Sequence, residues 1–315
     1  MSPVQPDKPD TALLPTSSRG SNSVLSHGRG SMLAGSYTPE QETVPSAGTA
    51  EQVVPLLIFL HGLGAQAEQF LEQFAHFHPK AHILGLDTLG HGGSGDSAEY
   101  AEYTAEALID RWILLLTRYG DPGVPWVVCG HSYGSILALR LCRALVASRA
   151  LPSPSGLILL SSPFSDTTGG KRGKQGAGWL LALPDPLIEV LRWMDRRGGT
   201  ESHSVKRLLG PGASIELKER QLGWNKASRT RTLKRIVAGM PSWEAEEVIL
   251  EQKGQEDQTQ SSIPTLIIVG SEDKVTPPVD GPGHGQGFGG KEGVWTHHWT
   301  YGHGRFGTPG DARIG

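Results

Sequence analysis

The sequence predicts an α/β fold, with a mainly parallel sheet, helices on both of its faces and an inserted helical lid. Five short apolar runs are typical of strands buried on both faces, and they alternate with longer segments of helical periodicity. The predicted strands cover 53–60, 83–86, 126–129, 157–160 and 265–269. Strands and helices that alternate in this way favour a parallel sheet that is covered on both faces.

The helical segments are identified by large apolar residues that recur at spacings of three and four. The predicted helix before the third strand carries four such residues on one face: Leu108, Trp112, Leu115 and Tyr119. A second helix is predicted over 134–146. From about 165 to 260 the pattern is helical without a clear strand, and this stretch is interpreted as a lid inserted between two core strands.

The predicted lid is basic. Between Ser165 and Trp243 the chain carries 15 Lys and Arg against 7 Asp and Glu, whereas its overall net charge is −3. Such a lid is suited to peripheral contact with an anionic lipid surface or with an acidic head group of a substrate. The alternative is a solvated helix face, which is the commoner role of charges on helices. No nucleic-acid partner is predicted.

Composition divides the chain into three parts. The range 1–50 is rich in Ser, Pro, Gly and Thr and poor in large apolar residues, and it is predicted to be a disordered tail. The range 51–280 is predicted to hold the folded domain and its lid. The range 281–315 is predicted to be an irregular tail rich in Gly and His.

Cysteine usage and the N-terminus bear on the compartment. Two cysteines do not make a disulfide framework, so a reducing, cytoplasmic location is expected. The N-terminus lacks the apolar core of a secretory signal, but its serines with Arg19 and Arg29 keep organelle import as an alternative. No apolar run is long enough for a transmembrane segment. The histidines are scattered, and no metal site is predicted.

The chemical signal of the sequence is a G-x-S-x-G pattern between a predicted strand and a predicted helix. Residues 127–135 read VVCGHSYGS. A serine in a tight strand-to-helix turn needs glycine neighbours, because side chains there would clash. The turn exposes the hydroxyl, and the N-terminus of the following helix favours negative charge beside it. Ser132 is therefore the predicted nucleophile, and the backbone N–H of Tyr133 is a predicted oxyanion donor.

Two glycine-rich turns follow the first two predicted strands. The first is HGLG at 61–64, and acyl transfer needs a second oxyanion donor, which we predict to be the backbone N–H of Leu63. The second is LDTLGHGGS at 86–94. Its Asp87 and His91 are interpreted as structural rather than catalytic.

These motifs, together with IPTLIIVGSEDKVTPP at 263–278, resemble the alpha/beta-hydrolase superfamily over roughly Val53 to Pro278. In that superfamily the serine is the nucleophile, an acid follows a late strand and a histidine completes the triad. The resemblance implies that Asp273 is the acid, with Glu272 and Asp166 as alternatives. An aspartate nucleophile, as in dehalogenase-like or epoxide-hydrolase-like relatives, is disfavoured because position 132 is Ser.

The histidine lies where the chain departs from the family pattern. His303 is the predicted triad histidine, because it follows Gly302 and a predicted β-run over 294–301, and it lies 30 residues after Asp273. His284, His297 and His298 are alternatives. Relatives carry a packed helix before this histidine, whereas this chain has a run of glycines from 281 to 290.

The expected function is hydrolysis of an ester, thioester or amide through an acyl-enzyme, as in lipases and esterases, on a small-molecule or lipid acyl substrate. No cofactor is implied. One alternative is a lipid acyltransferase that uses the same nucleophile. Another is a protein that keeps the hydrolase fold without catalysis, which the irregular C-terminal region favours.

Overall fold

The computed structural model describes residues 53–148, 150–162, 181–210, 212–240, 263–270, 273 and 275, and the backbone of strands within 21–37 and 294–299. Its centre is an eight-stranded sheet. The strands are β1 (Ser21–His27), β2 (Gly30–Tyr37), β3 (Leu56–Leu60), β4 (His82–Leu86), β5 (Trp126–His131), β6 (Gly156–Leu160), β7 (Thr265–Gly270) and β8 (Val294–Trp299). They lie in the order β1-β2-β4-β3-β5-β6-β7-β8. All pairings from β4 to β8 are parallel, which confirms the predicted α/β fold.

The structure places strands within both of the predicted tails. Within 1–50, predicted as a tail, it places β1 and β2, and β2 pairs antiparallel with β4. Strand pairing of this kind rests on backbone hydrogen bonds, which Ser- and Gly-rich segments form without an apolar pattern. Within 281–315 it places β8, which confirms the predicted β-run over 294–301 as a strand.

Helices cover both faces of the sheet. On one face, α2 (Ala105–Tyr119) and α3 (Tyr133–Ala147) pack on Ile58 and Val128, which are fully buried. On the other face, α1 (Leu71–Phe77) and the short 3-10 helix Ala67–Phe70 pack on Phe59, the residue next to Ile58. Alternate strand residues therefore pack in two apolar layers, one on each face of the sheet. This explains why the strands are continuously apolar in sequence.

The inserted helical region lies between β6 and β7, as predicted. Its described part, 181–210 and 212–240, contains four α-helices and no strand. They are α4 (Asp185–Arg196), α5 (His203–Leu208), α6 (Ile215–Ala227) and α7 (Thr230–Gly239). The hydroxyls of Ser202 and Ser214 cap α5 and α6 by accepting a backbone N–H of the first turn. Of the helices described, none is long and apolar enough to cross a bilayer.

Candidate active site

Ser132 occupies the sharp turn between β5 and α3. Its backbone has φ 51° and ψ −120°, a conformation that residues other than glycine rarely adopt. Its N–H donates to the Leu160 carbonyl at the end of β6 (2.9 Å), and its own carbonyl accepts from the Ser135 N–H (2.8 Å). The neighbouring strand and the first turn of α3 therefore hold the strained backbone in place, at the carboxyl edge of the parallel strands.

The two glycines of the pattern are required by backbone contacts. A Cβ on Gly130 would lie 2.2 Å from the Gly134 carbonyl oxygen, and a Cβ on Gly134 would lie 2.1 Å from the Leu60 carbonyl oxygen. Neither neighbour is a side chain that could move aside. The elbow therefore places α3 and the end of β3 closer together than any residue but glycine would allow.

Replacing Gly134 with alanine is expected to damage both the fold and the site. The added methyl group displaces the backbone around Leu60, at a cost of about 1–3 kcal/mol or more. We expect a lower thermal midpoint and slower labelling of Ser132 by a fluorophosphonate. The control is Gly223→Ala in α6, where an added Cβ meets nothing within 4 Å. That variant should be as stable as the wild type or more so, since alanine is the better helix former. A Gly134→Ala protein with wild-type stability and labelling would contradict the steric argument.

The turn at 61–64 lies directly beside the elbow. A Cβ on Gly62 would be 3.4 Å from the Ser132 Cβ and 3.0 Å from the His131 Nδ1. The N–H groups on both sides of Leu63 are engaged: that of Gly62 donates to Gln69 Oε1 (3.1 Å) and that of Gly64 to His91 Nε2 (3.1 Å). Within the described ranges, the backbone N–H groups of Leu63 and Tyr133 donate to no acceptor. Both predicted oxyanion donors thus lie in segments that flank Ser132.

Two buried histidines, His61 and His91, contact the backbone of this turn through their ring nitrogens. His61 Nε2 accepts from the Thr88 N–H (2.9 Å), and its Nδ1 lies 2.8 Å from the Gly62 carbonyl. Burial lowers the pKa of His61 to about 4 and that of His91 to about 3. Because each Nε2 accepts a backbone N–H, both rings are neutral with the proton on Nδ1. Asp87 likewise accepts from the Ala67 N–H (2.8 Å), so these contacts agree with a structural role for Asp87 and His91.

Acid is expected to destabilise the fold through His61 and His91. Their folded pKa values lie below the ordinary 6.5, so the unfolded chain binds more protons once the pH falls below that value. The free energy of unfolding therefore keeps its whole contribution from these histidines above about pH 6.5. It falls as the pH drops toward 4, by up to about 1.4 kcal/mol per pH unit for each histidine. Urea unfolding across this range measures the slope.

The variant His91→Gln separates this effect from general acid sensitivity. Glutamine does not ionise, so the slope should become shallower, even if the variant is less stable at neutral pH. The same change at the exposed His203 should leave the slope as it is in the wild type. Equal slopes for the wild type and His91→Gln would show that His91 does not stay neutral in the folded protein.

Asp273 follows β7, at the same sheet edge as Ser132. Its N–H donates to the Gly270 carbonyl (3.1 Å), and its Oδ1 accepts from the Val275 N–H (2.8 Å). Burial lowers the pKa of His131, the residue before Ser132, to about 4, and the negative charge of Asp273 partly opposes this shift. The predicted acid therefore lies within electrostatic range of the elbow.

The predicted histidine falls outside the described residues. His303 lies beyond them, as do the alternatives His284, Glu272 and Asp166. His297 and His298 lie on β8, where their backbones pair with Ile268 and Val269 of β7. In the described part of the chain, no group of three or more His, Cys, Asp or Glu side chains is arranged to hold a metal ion.

Helices of the inserted region pack against the two glycine-rich turns. A Cβ on Gly64 would meet Leu233 of α7 at 3.6 Å, and a Cβ on Gly90 would lie 2.5 Å from the Thr232 Cγ2. Trp224 of α6 adds a hydrogen bond from its Nε1 to Glu68 Oε2 (3.4 Å). The inserted helices α6 and α7 thus pack directly on the loops that surround Ser132.

Asp96 attaches α7 to the core, and sequence reasoning missed it. Its carboxylate pairs with Arg231 (3.0 Å) and Arg229 (3.3 Å), and the Tyr103 hydroxyl donates to it. Burial raises the pKa of Asp96, but the bond from Tyr103 and the two arginines outweigh burial and hold it below its usual value. Arg235 of α7 adds a bond to the Ser97 carbonyl. The only sequence signal is an acid just after a glycine turn.

A strained serine at the carboxyl edge of a parallel sheet, beside a glycine turn and under inserted helices, defines a protein of the alpha/beta-hydrolase type. The chain belongs to the alpha/beta hydrolase family, whose model matches residues 57–305. It is 26% identical over 194 residues to an abhydrolase domain-containing protein of Schizosaccharomyces pombe, covering 59% of this chain and 51% of that protein. It is 30% identical over 131 residues to the lipase LipV of Mycobacterium tuberculosis, covering 42% and 45%. The chain spans about half the length of these curated relatives.

Solved structures share the fold at low sequence identity. An esterase from Exiguobacterium antarcticum superposes with a TM-score of 0.57 at 14% identity, covering 85% of this chain and 87% of that one. An epoxide hydrolase from Bacillus megaterium gives 0.57 at 15% identity, covering 85% and 88%. These likenesses establish the architecture and leave the substrate to be argued from the site.

Proposed function

We propose that the chain is a serine hydrolase that cleaves an ester, thioester or amide through an acyl-enzyme on Ser132. The observation that carries this proposal is the backbone of Ser132. A non-glycine residue in this conformation costs about 1–3 kcal/mol, and such strain is concentrated at functional sites. Here the strain fixes a hydroxyl-bearing residue between two segments with free backbone N–H groups, which is the arrangement that acyl transfer requires.

The proposed reaction has two halves. Ser132 Oγ attacks the substrate carbonyl carbon and gives its proton to His303, while the N–H groups of Leu63 and Tyr133 stabilise the negative charge on the carbonyl oxygen. The bond to the leaving group then breaks, and the leaving group takes the proton from His303. A water attacks the acyl-enzyme by the same route, which releases the acid and returns the proton to Ser132.

Asp273 and His303 complete the proposed triad, in the chain order Ser, Asp, His that this fold uses. Asp273 would orient the histidine and stabilise its protonated form. Two observations support His303. The family match continues through residue 305, and β8 runs parallel to β7. β8 therefore ends at the edge of the sheet that carries Ser132 and Asp273.

The proposed substrate is a small-molecule or lipid acyl compound. One relative is named a lipase and one structural neighbour an esterase, and a serine at position 132 favours an acyl-enzyme. Peripheral contact with anionic lipid through the basic lid is part of the proposal. A cytoplasmic location is also proposed, because Cys129 and Cys142 are both buried and no disulfide joins them.

Product analysis tests this proposal. With p-nitrophenyl esters of increasing acyl length, we expect saturable release of p-nitrophenol and the free acid as the other product. An added long-chain alcohol distinguishes the alternative, because a lipid acyltransferase would transfer the acyl group to it and form a new ester. Transfer as the main outcome would replace hydrolase by transferase, and no turnover with any ester would contradict both.

A further inference from the structure

Helix α4 is oriented with its apolar side toward solvent. An amphipathic helix on a globular protein normally buries its apolar side. In α4 the described large apolar side chains are instead mostly exposed, with fractions of 45% for Leu187, 52% for Val190, 46% for Leu191, 56% for Trp193 and 59% for Met194. Ile188 is the one apolar residue of α4 that is buried. The exposed residues, at spacings of three and four, form a continuous apolar surface along the helix, here called the α4 face.

Polar contacts on the other side fix this orientation. The Arg192 guanidinium donates to Thr230 Oγ1 (2.6 Å), to the Ser228 carbonyl (2.8 Å) and to the Asn225 carbonyl (3.0 Å). Arg196 donates to the same Asn225 carbonyl (3.0 Å). These bonds satisfy the carbonyls at the junction of α6 and α7, and burial lowers the pKa of Arg192. The helix is thus held by its charged side, and turning the α4 face inward would break every one of these bonds.

A basic residue contacts the α4 face. Arg197 lies over the Trp193 ring, with its guanidinium carbon 4.8 Å from the ring centroid. On the opposite side of α4, against α6 and α7, a cavity of about 390 Å³ has four basic and two acidic residues in its lining: Arg196, Lys226, Arg229, Arg231, Asp185 and Glu189. The whole inserted region carries the excess of basic residues noted above. A partner that covers this face would therefore meet an apolar surface with Arg197 beside it, in a region of net positive charge.

We propose that the α4 face docks the protein on an anionic lipid surface. Exposed Leu, Trp and Met side chains along one side of a helix are the kind that insert into a membrane interface. Tryptophan favours the headgroup level, and basic residues are attracted to acidic headgroups. A protein partner with an apolar patch would satisfy the α4 face but would gain nothing from the net positive charge of the inserted region. The inference rests on the lipid contact through the basic lid proposed above and assigns it to the α4 face, of which no residue belongs to the proposed triad.

Vesicle co-sedimentation of the full chain tests the proposal. The vesicles are phosphatidylcholine alone, or phosphatidylcholine with about a third phosphatidylserine. We expect binding to the second kind, weakening as salt is added. The variant Leu187→Gln with Met194→Gln keeps the charge and the helix propensity, and should bind on the order of tenfold more weakly, because two apolar side chains no longer enter the interface. The same measurement in the Ser132→Ala protein keeps docking separate from hydrolysis.

The control is Leu71→Gln with Leu114→Gln, since both leucines are 43% exposed on the core helices. It should bind vesicles like the wild type. Circular dichroism checks that both double variants are folded, and a Trp193→Phe protein should lose a vesicle-induced change in tryptophan emission. No wild-type binding to either vesicle, or equal binding by both double variants, would overturn the proposal. Self-association that disappears only in the Leu187→Gln, Met194→Gln variant, without vesicle binding, would show that a second copy covers the α4 face and would overturn it as well.

Discussion

Replacing Ser132 with alanine is expected to abolish both ester hydrolysis and fluorophosphonate labelling, with a loss in kcat on the order of 10⁴–10⁶-fold. The reason is positional as well as chemical. The strained backbone fixes one oxygen at the end of β5, next to the turn that carries the Leu63 N–H. Mass spectrometry of the labelled wild type, and rates with a p-nitrophenyl ester, measure the two effects. Thermal unfolding should be close to that of the wild type, because the backbone conformation remains available to alanine at similar cost.

Ser161 provides a matched control. It is the other non-glycine residue with positive φ in the described part of the chain, at 45°, and it follows β6, the strand next to β5. Its N–H donates to the Ile268 carbonyl (2.8 Å), so its backbone is held by the adjacent strand just as that of Ser132 is. The described residue that follows it, Ser162, is not helical, whereas α3 begins directly after Ser132. Ser161→Ala should therefore keep labelling and turnover. Labelling that persists in Ser132→Ala but vanishes in Ser161→Ala would move the nucleophile to Ser161.

The elbow could be predicted from sequence because its constraints are local. Gly130 and Gly134 are demanded by contacts within a few residues of Ser132 and with the end of β3, and such steric requirements leave a short pattern in the chain. The strands were predictable for a similar reason. β3, β4 and β5 are buried on both faces along most of their length, so their residues are apolar almost without interruption.

The features that sequence reasoning missed depend on contacts between distant segments. Asp96 and Arg231 are 135 residues apart, and neither position carries a pattern that relates it to the other. The strands β1 and β2 join the sheet through backbone hydrogen bonds, which the amino-acid composition of these segments does not predict. The periodicity of α4 correctly predicts a helix, but its hydrophobic pattern alone would predict that the apolar side faces the core. The observed orientation follows from the hydrogen bonds of Arg192 to Thr230 and to the carbonyls before Thr230.

Removing the imidazole of His303 is expected to lower kcat/KM on the order of 10³–10⁶-fold, while substrate binding changes little. Without a base the Ser132 hydroxyl keeps its free reactivity, and the leaving group departs without a proton. The variants His284→Ala, His297→Ala and His298→Ala serve as controls, since each removes a histidine from the same C-terminal region. They should stay near wild-type activity.

The kinetic signature separates a catalytic His303 from one that merely supports the fold. In the wild type, kcat/KM should fall at acid pH as one essential group is protonated, with an apparent pKa near the ordinary value for histidine. This acid limb of the pH profile should be absent in His303→Ala. The double variant Ser132→Ala with His303→Ala should be no slower than Ser132→Ala alone, because members of a triad act as a unit. A purely structural residue would instead lower the thermal midpoint and leave the limb in place. The glycines from 281 to 290 make this comparison informative, because a segment with so little apolar area contributes little to stability. If His297→Ala or His298→Ala removed the limb and His303→Ala did not, the triad would close through β8 itself, and the Gly302-His303 pair would have no catalytic part.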